Sequence, residues 1–227
     1  MKQVIINGIK GKMGQAIKRL ITQNPQLNLT VVGGREPGDK WDLRGDIVID
    51  FSSPQGAQEA FNWAKEHKAA CLIGTTNLPE RFLFQMQEEH KIPLFYAPNV
   101  SLSVYFFGEL LKKSLQLYSG YDLNLHEIHH AQKKDAPSGT AKKLAELIDF
   151  PVEKITYERT GQVPGTHQLS LTGTYDKITL THQALNRDLF ASSAVQIAAW
   201  LVTQPAGFYT LSDYAKFQLK SFKKGHH

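Results

Sequence analysis

Apolar residues arrive along this chain in two rhythms, short β-branched runs and longer stretches at helical spacing, and their alternation predicts most of the secondary structure. Val4-Ile5-Ile6 reads as a strand ending at Asn7-Gly8, and residues 13–21 follow with apolar positions at helical intervals. Residues 29–32 and 47–51 read as further strands, 57–67 as an amphipathic helix, and Cys71-Leu72-Ile73 as the next strand. A helix over 79–90 then leads to Leu94-Phe95-Tyr96. Such alternation predicts a parallel sheet with right-handed crossovers, so residues 1–99 are expected to form a Rossmann-like dinucleotide-binding domain of α/β class.

The rhythm changes after Asn99. Residues 103–118 predict one helix, 121–128 a strand, and 138–148 a second helix with Ser138 or Thr140 near its start. Alternating segments at 154–159, 168–175 and 177–182 predict a mixed, mostly antiparallel sheet. A last helix over 189–202 precedes Pro205-Ala206-Gly207 and a short segment that returns to the first domain. The expected division is therefore 1–99 with 207–227 for the nucleotide, and 100–206 as an α+β substrate-binding and oligomerisation domain.

Composition narrows the function classes. With 227 residues, 41% hydrophobic and 21% charged, the chain can bury a large core or two modest ones. Its one cysteine, Cys71, lies in an apolar run, so neither a disulfide framework nor cysteine-based metal binding is expected, and a reducing cytoplasm fits best. No uninterrupted apolar stretch of about 18 residues predicts a membrane span, and no secretory signal precedes the first strand. The net charge of +5 is spread among acids rather than gathered in a basic stripe, which speaks against nucleic acid and suits a phosphorylated cofactor and an anionic substrate. Lys223-Lys224-Gly225-His226-His227 reads as a solvated tail outside any site.

Gly8-Ile9-Lys10-Gly11-Lys12-Met13-Gly14 sits between a predicted strand and a predicted helix, where missing side chains let a pyrophosphate approach the helix end. Lys10 occupies the second glycine position of the usual G-x-G-x-x-G pattern, and Lys10 and Lys12 both favour phosphate. The second strand ends in Gly33-Gly34-Arg35, with no carboxylate where one would take up the ribose hydroxyls, so Arg35 is expected to favour NADPH over NADH. Glu36, one residue on, keeps NADH possible. Gly74-Thr75-Thr76 and Ala97-Pro98-Asn99-Val100 stand at the carboxyl ends of later strands, where open α/β sheets bind ligands, and are expected to orient the nicotinamide. Asp50-Phe51-Ser52-Ser53-Pro54 is another such turn.

Candidate chemistry is densest between Glu127 and Ala141, in Glu127-Ile128-His129-His130-Ala131-Gln132-Lys133-Lys134-Asp135-Ala136-Pro137-Ser138-Gly139-Thr140-Ala141. His129, His130 and Lys133 are groups that protonate or polarise a small substrate. Ser138-Gly139-Thr140, at a helix start, offers amides and hydroxyls to a carboxylate.

That run resembles the signature of the dihydrodipicolinate (4-hydroxy-tetrahydrodipicolinate) reductase family. The likeness extends to Gly8-x-x-Gly11-x-Met13-Gly14, Gly74-Thr75-Thr76, Ala97-Pro98-Asn99, Arg159-x-Gly161-x-Val163-Pro164-Gly165-Thr166-His167 and Arg187-x-x-Phe190-Ala191. The resemblance implies NAD(P)H-dependent reduction of a cyclic imine dicarboxylate in lysine and diaminopimelate synthesis. It further implies that His129 is the general acid, Lys133 a second proton donor, and His130, Ser138, Gly139 and Thr140 the carboxylate holders, in a homotetramer. Two departures from the family lie at the adenosine end: a short connection from Gly34 to Ile47, and Gly34 itself where an acid is common.

Other readings compete. A hydrolase using Ser138 lacks the strand-elbow-helix context of G-x-S-x-G. No metal site is expected, because adjacent histidines on a strand face opposite ways and no H-E-x-x-H helix is present. A non-catalytic NADPH-binding sensor is the remaining alternative.

Overall fold

The computed structural model describes residues 1–186 and 188–224, the last four by backbone alone; Arg187 and Gly225-His226-His227 lie outside the described residues. The first strand, β1 (Lys2–Asn7), buries Val4, Ile5, Ile6 and Asn7 in succession, as a strand covered on both faces must. It is followed by α1 (Lys12–Gln23), β2 (Leu29–Arg35), β3 (Ile47–Asp50), α2 (Pro54–His67), β4 (Ala70–Ile73), α3 (Glu80–Gln87) and β5 (Pro93–Tyr96). Helix α2 starts three residues before its apolar periodicity does. Ser53 accepts the Gly56 N–H at 3.1 Å and Pro54 opens the first turn, a start signal that the spacing of apolar residues does not carry.

The chain continues through α4 (Leu102–Leu117), β6 (Asp122–His129), α5 (Gly139–Leu147), β7 (Thr156–Arg159), β8 (Gly165–Thr172) and β9 (Lys177–Ala184), and closes with α6 (Asp188–Leu201), β10 (Gly207–Tyr209) and α7 (Leu211–Lys224). Two compact units result: residues 1–100 with the chain from 190 onward, and residues 101–189. The first holds a six-stranded sheet in the order β10-β5-β4-β3-β1-β2, every neighbouring pair parallel, which is the expected Rossmann-like α/β arrangement. The second holds a four-stranded sheet, β7-β6-β8-β9, antiparallel except for β6 with β7.

The return to the first unit comes at 190, ahead of the boundary at 207 expected from the sequence. Helix α6 has little polar face: Ala191, Ala194, Val195, Ile197, Ala198, Trp200 and Leu201 are all buried, and Trp200 meets Phe95 of β5 edge to face at 6.4 Å. Residues 211–224 form a full helix, with Tyr214 and Ala215 buried and Asp213 accepting the N–H and hydroxyl of Thr210, so Lys223 and Lys224 finish α7 instead of belonging to a tail.

In the second unit, α5 covers one face of β6. Leu125, Ala141, Ala145 and Ile155 form a small apolar cluster there, and the two-residue period of the strand puts Glu127 and His129 on the same buried face. Among the described residues no helix is long and apolar enough to cross a membrane.

Candidate active site

The turn after β1 is shaped by glycines that cannot be replaced. Gly8 has φ +82°, and a Cβ there would stand 2.8 Å from the Phe51 carbonyl; one on Gly14 would stand 2.3 Å from the Gly8 carbonyl and 2.7 Å from the Ile9 Cα. Helix α1 begins at Lys12 with Gly11 before it, no side-chain cap and no acid in its first turn. Its first amides and its positive end are therefore left for an anion, and Lys10 and Lys12 are exposed beside them. These features fit a dinucleotide pyrophosphate at Gly8, Ile9, Lys10, Gly11, Lys12 and Met13.

Arg35 is not the open phosphate ligand that the sequence suggests. It is 4% exposed; Nη1 donates to Asn7 Oδ1 at 2.9 Å, Nη2 to Glu59 at 2.8 Å and to the Asp39 carbonyl at 2.6 Å, and the guanidinium lies 4.1 Å from the Trp41 ring centre. Trp41 in turn stacks on Trp63 at 5.2 Å. A guanidinium with its ends and a face engaged has only Nε without a partner, and Nε is buried. Glu36 places its carboxylate on the Lys10 amide at 2.8 Å, inside the glycine turn. A depression of about 340 Å³ at the end of β2 is lined by Gly33, Gly34, Arg35, Asp39 and Lys40, and Lys40 is exposed.

Behind the other strand ends sits Asp50, fully buried. It accepts from Asn7 Nδ2 at 2.7 Å, Ser52 Oγ at 2.5 Å and Thr75 Oγ1 at 2.6 Å, tying β1, β3 and β4 together. Burial raises its pKa from the ordinary carboxylate value despite the three donors. The Thr75 hydroxyl also accepts the Ser52 N–H at 3.0 Å, so both of its functions are spent on the scaffold rather than on a nicotinamide. Gly74, Thr75 and Thr76 line a depression of about 420 Å³ with Met13 and Phe51, and the Phe51 ring lies where a Cβ on Gly74 would be. Ala97 and Val100 are buried, Pro98 is exposed and Asn99 is intermediate.

The second group of residues gathers on β6. Glu127 is fully buried; its Oε1 accepts the Ser138 N–H and Arg159 Nη2, each at 2.8 Å, and its Oε2 stands 3.2 Å from His129 Nδ1 and 3.8 Å from His167 Nε2. Burial alone would raise this carboxyl. The contacts from His129, Ser138 and Arg159 outweigh it and hold Glu127 far below the usual carboxylate range, a permanent anion. Strand register explains the assembly: His129 pairs with Arg159 on β7, Glu127 with His167 on β8, and His167 with His182 on β9. His167, 4% exposed, is kept neutral, its pKa pushed down to about 4, first by burial and then by His129. His182 is likewise lowered by burial, and its Nε2 meets Ser103 Oγ at 3.1 Å.

Lys133 pairs with Asp135 at 2.7 Å, and the ammonium holds that carboxyl below its ordinary value. Ser138 is 2% exposed and caps α5 by accepting the Ala141 N–H at 3.1 Å, while its own amide is taken by Glu127. It therefore shapes the turn, and the more open positions there are Gly139 and Thr140 at the start of α5. His130, immediately beyond β6, is partly exposed.

Sequence reasoning gave no role to Glu127, Arg159, Gly165 or His167. Glu127 carries a readable signal, being two residues before His129 on a strand and so on the same face; the others reach the site through cross-strand register. Donor atoms of Glu127, His129 and His167 lie within 4.8 Å of one another, a spacing that a divalent ion could bridge. Arg159 on the same carboxylate supplies the positive charge there instead.

Profiles of two family segments match the chain: dihydrodipicolinate reductase N-terminus over residues 2–42 and 39–100, and dihydrodipicolinate reductase C-terminus over residues 103–214. The chain belongs to the dihydrodipicolinate reductase family. Among dihydrodipicolinate reductases named 4-hydroxy-tetrahydrodipicolinate reductase, the protein of Bdellovibrio bacteriovorus is 37% identical over 225 residues, covering 94% of this chain and 96% of the relative. That of Campylobacter jejuni is 32% identical over 240 residues, covering 94% and 99%. A solved structure, dipicolinate-bound dihydrodipicolinate reductase from Paenisporosarcina sp. TG-14, shares the fold with a TM-score of 0.75 at 21% identity, covering 92% of this chain and 97% of that one.

Proposed function

We propose that this oxidoreductase reduces 4-hydroxy-tetrahydrodipicolinate to tetrahydrodipicolinate with NAD(P)H in lysine and diaminopimelate biosynthesis. Hydride and proton enter the ring system and the hydroxyl leaves as water. The observation that carries the mechanism is the His129 imidazole, set 3.2 Å from the buried Glu127 carboxylate and close in sequence to Lys133 and the start of α5. His129 gives the proton that quenches the negative charge left by hydride addition, and Lys133 is the second donor. His130, Gly139 and Thr140 hold the substrate's carboxylates, with Ser138 setting the turn that presents them.

Reduced nicotinamide supplies the hydride when bound. Gly8 to Met13 would hold its pyrophosphate, and Gly74, Thr76, Ala97, Pro98, Asn99 and Val100 its nicotinamide half, with Thr75 tying the ends of β3 and β4 together through Asp50 and Ser52. Both nucleotides serve in this reading. Exposed Lys10, Lys12 and Lys40 favour the 2′-phosphate of NADPH, and Glu36 favours the free ribose of NADH. The NADPH preference expected from Arg35 loses its ground, since that guanidinium is engaged within the protein. A homotetramer suits the exposed Tyr157, Tyr175 and Leu185 of the second unit, and light scattering of the purified chain tests it.

A non-catalytic nucleotide sensor would have no use for the carboxylate behind His129. The discriminating assay follows absorbance of the reduced nicotinamide with the cyclic imine generated in situ. His129→Gln and Lys133→Ala should each lower turnover by about 10²-fold or more while leaving nucleotide affinity unchanged. Full turnover in both variants rejects the assignment.

A further inference from the structure

Glu127 and His129 bring two buried atoms together, with His167 Nε2 the next group to that carboxylate oxygen at 3.8 Å. Oε2 of Glu127 and Nδ1 of His129 are buried, stand 3.2 Å apart, and have no well-formed hydrogen bond to any other described residue. The contact stands at ion-pair distance. A carboxylate can only accept. The other oxygen already accepts from Ser138 and Arg159, which keeps the group ionised.

We propose that Glu127, backed by Arg159 and the Ser138 amide, is a positioning residue that fixes the proton of neutral His129 on Nδ1 and leaves Nε2 as the atom that delivers the catalytic proton. The inference rests on His129 being the general acid. It goes further in naming the atom, the tautomer and the group that sets them. Two buried polar atoms would otherwise both stand without a partner, and an Nδ1–H directed at the carboxylate relieves both at once.

The opposite edge of the ring is consistent with this assignment. Nε2 lies beside Gly165 on β8, where a Cβ would stand only 2.9 Å away, so the sequence keeps side-chain atoms off that nitrogen. The charged and titratable groups around His129 are Glu127 on β6, Arg159 on β7 paired with that carboxylate, and neutral His167 on β8 at 5.3 Å between ring centres; Lys133 in the turn after β6 is paired with Asp135. Glu127 is the one anion among them that touches the ring.

With Nδ1–H held, neutral His129 presents a lone pair at Nε2 and cannot donate from it; only the imidazolium can. In the reductive step the Nε2–H bond breaks, its electrons stay on the ring, the proton goes to the substrate atom that gained charge from the hydride, and the product is the Nδ1–H tautomer facing Glu127.

The test uses the full chain labelled with ¹⁵N-histidine. Two-bond proton–nitrogen correlation on the neutral ring, assigned by comparison with His129→Gln, should show the proton on Nδ1; an Nε2–H tautomer overturns the proposal. Glu127→Gln should lower turnover by about 10-fold or more and move the alkaline limb of kcat/KM towards lower pH by about one unit, with nucleotide KM unchanged. A folded Glu127→Gln protein with wild-type turnover, or with reduced turnover and an unmoved pH limb, also overturns it. Should that variant not fold, the wild-type tautomer decides alone. Wild-type turnover in His129→Gln would instead reject the acid assignment beneath it, an outcome distinct from either result at Glu127.

Discussion

His167 is enclosed on β8, and burial together with neighbouring His129 pushes its pKa down to about 4. In the unfolded chain the same imidazole protonates near 6.5, so between the two values unfolding takes up a proton. The contribution to stability is intact above pH 6.5 and is withdrawn as pH falls towards 4. At about 1.4 kcal/mol for each pH unit crossed, the loss reaches about 3 kcal/mol, with about 2 kcal/mol of it falling between pH 7 and pH 5. Two measurements check this. An NMR titration should find the His167 imidazole neutral at pH 5.5, and urea unfolding at pH 7 and pH 5 should show His167→Leu losing about 2 kcal/mol less than the wild type over that interval. Titration of His167 near 6.5, or equal losses in the two proteins, would refute the reasoning.

Two further outcomes follow from the same geometry. Arg35→Ala strips a buried partner from Glu59 and the stacking group from Trp41, so it should destabilise the protein by about 1–3 kcal/mol while changing the ratio of NADPH to NADH affinity by less than about threefold; a tenfold selective loss of NADPH in paired titrations would restore Arg35 as a phosphate ligand. Gly165→Ala puts a methyl 2.9 Å from His129 Nε2 and should cut kcat by about 10-fold or more in steady-state assays with nucleotide binding intact; unaltered kcat would show that Nε2 has room to spare.

Much of the fold was legible because both periodicities are strong. β1, β3, β4 and β5 carry nearly continuous apolar runs, and glycine placement after β1 announces the turn that α1 follows. The missed α7 carries its apolar residues on a narrow stripe around Tyr214 and Ala215, too sparse to stand out beside a basic end. At the site, residues within one short run were readable because chain neighbours are space neighbours: His129, Lys133 and Ser138 fall together. Arg159, Gly165 and His167 were not, since strand register decides which distant residues stand beside His129, and register is a property of the paired backbones. Arg35 failed for another reason. Its type suited a phosphate, but Glu59 and Trp41 engage it first.

The second unit, residues 101–189, is inserted in the chain ahead of the segments that complete the first. During synthesis the nascent chain therefore has every strand of the later-encoded sheet out of the ribosome while the earlier one still lacks its edge strand and two helices. A chain released by a stop codon after residue 189 would carry all four strands of the second sheet while the first lacked β10, α7 and nearly all of α6.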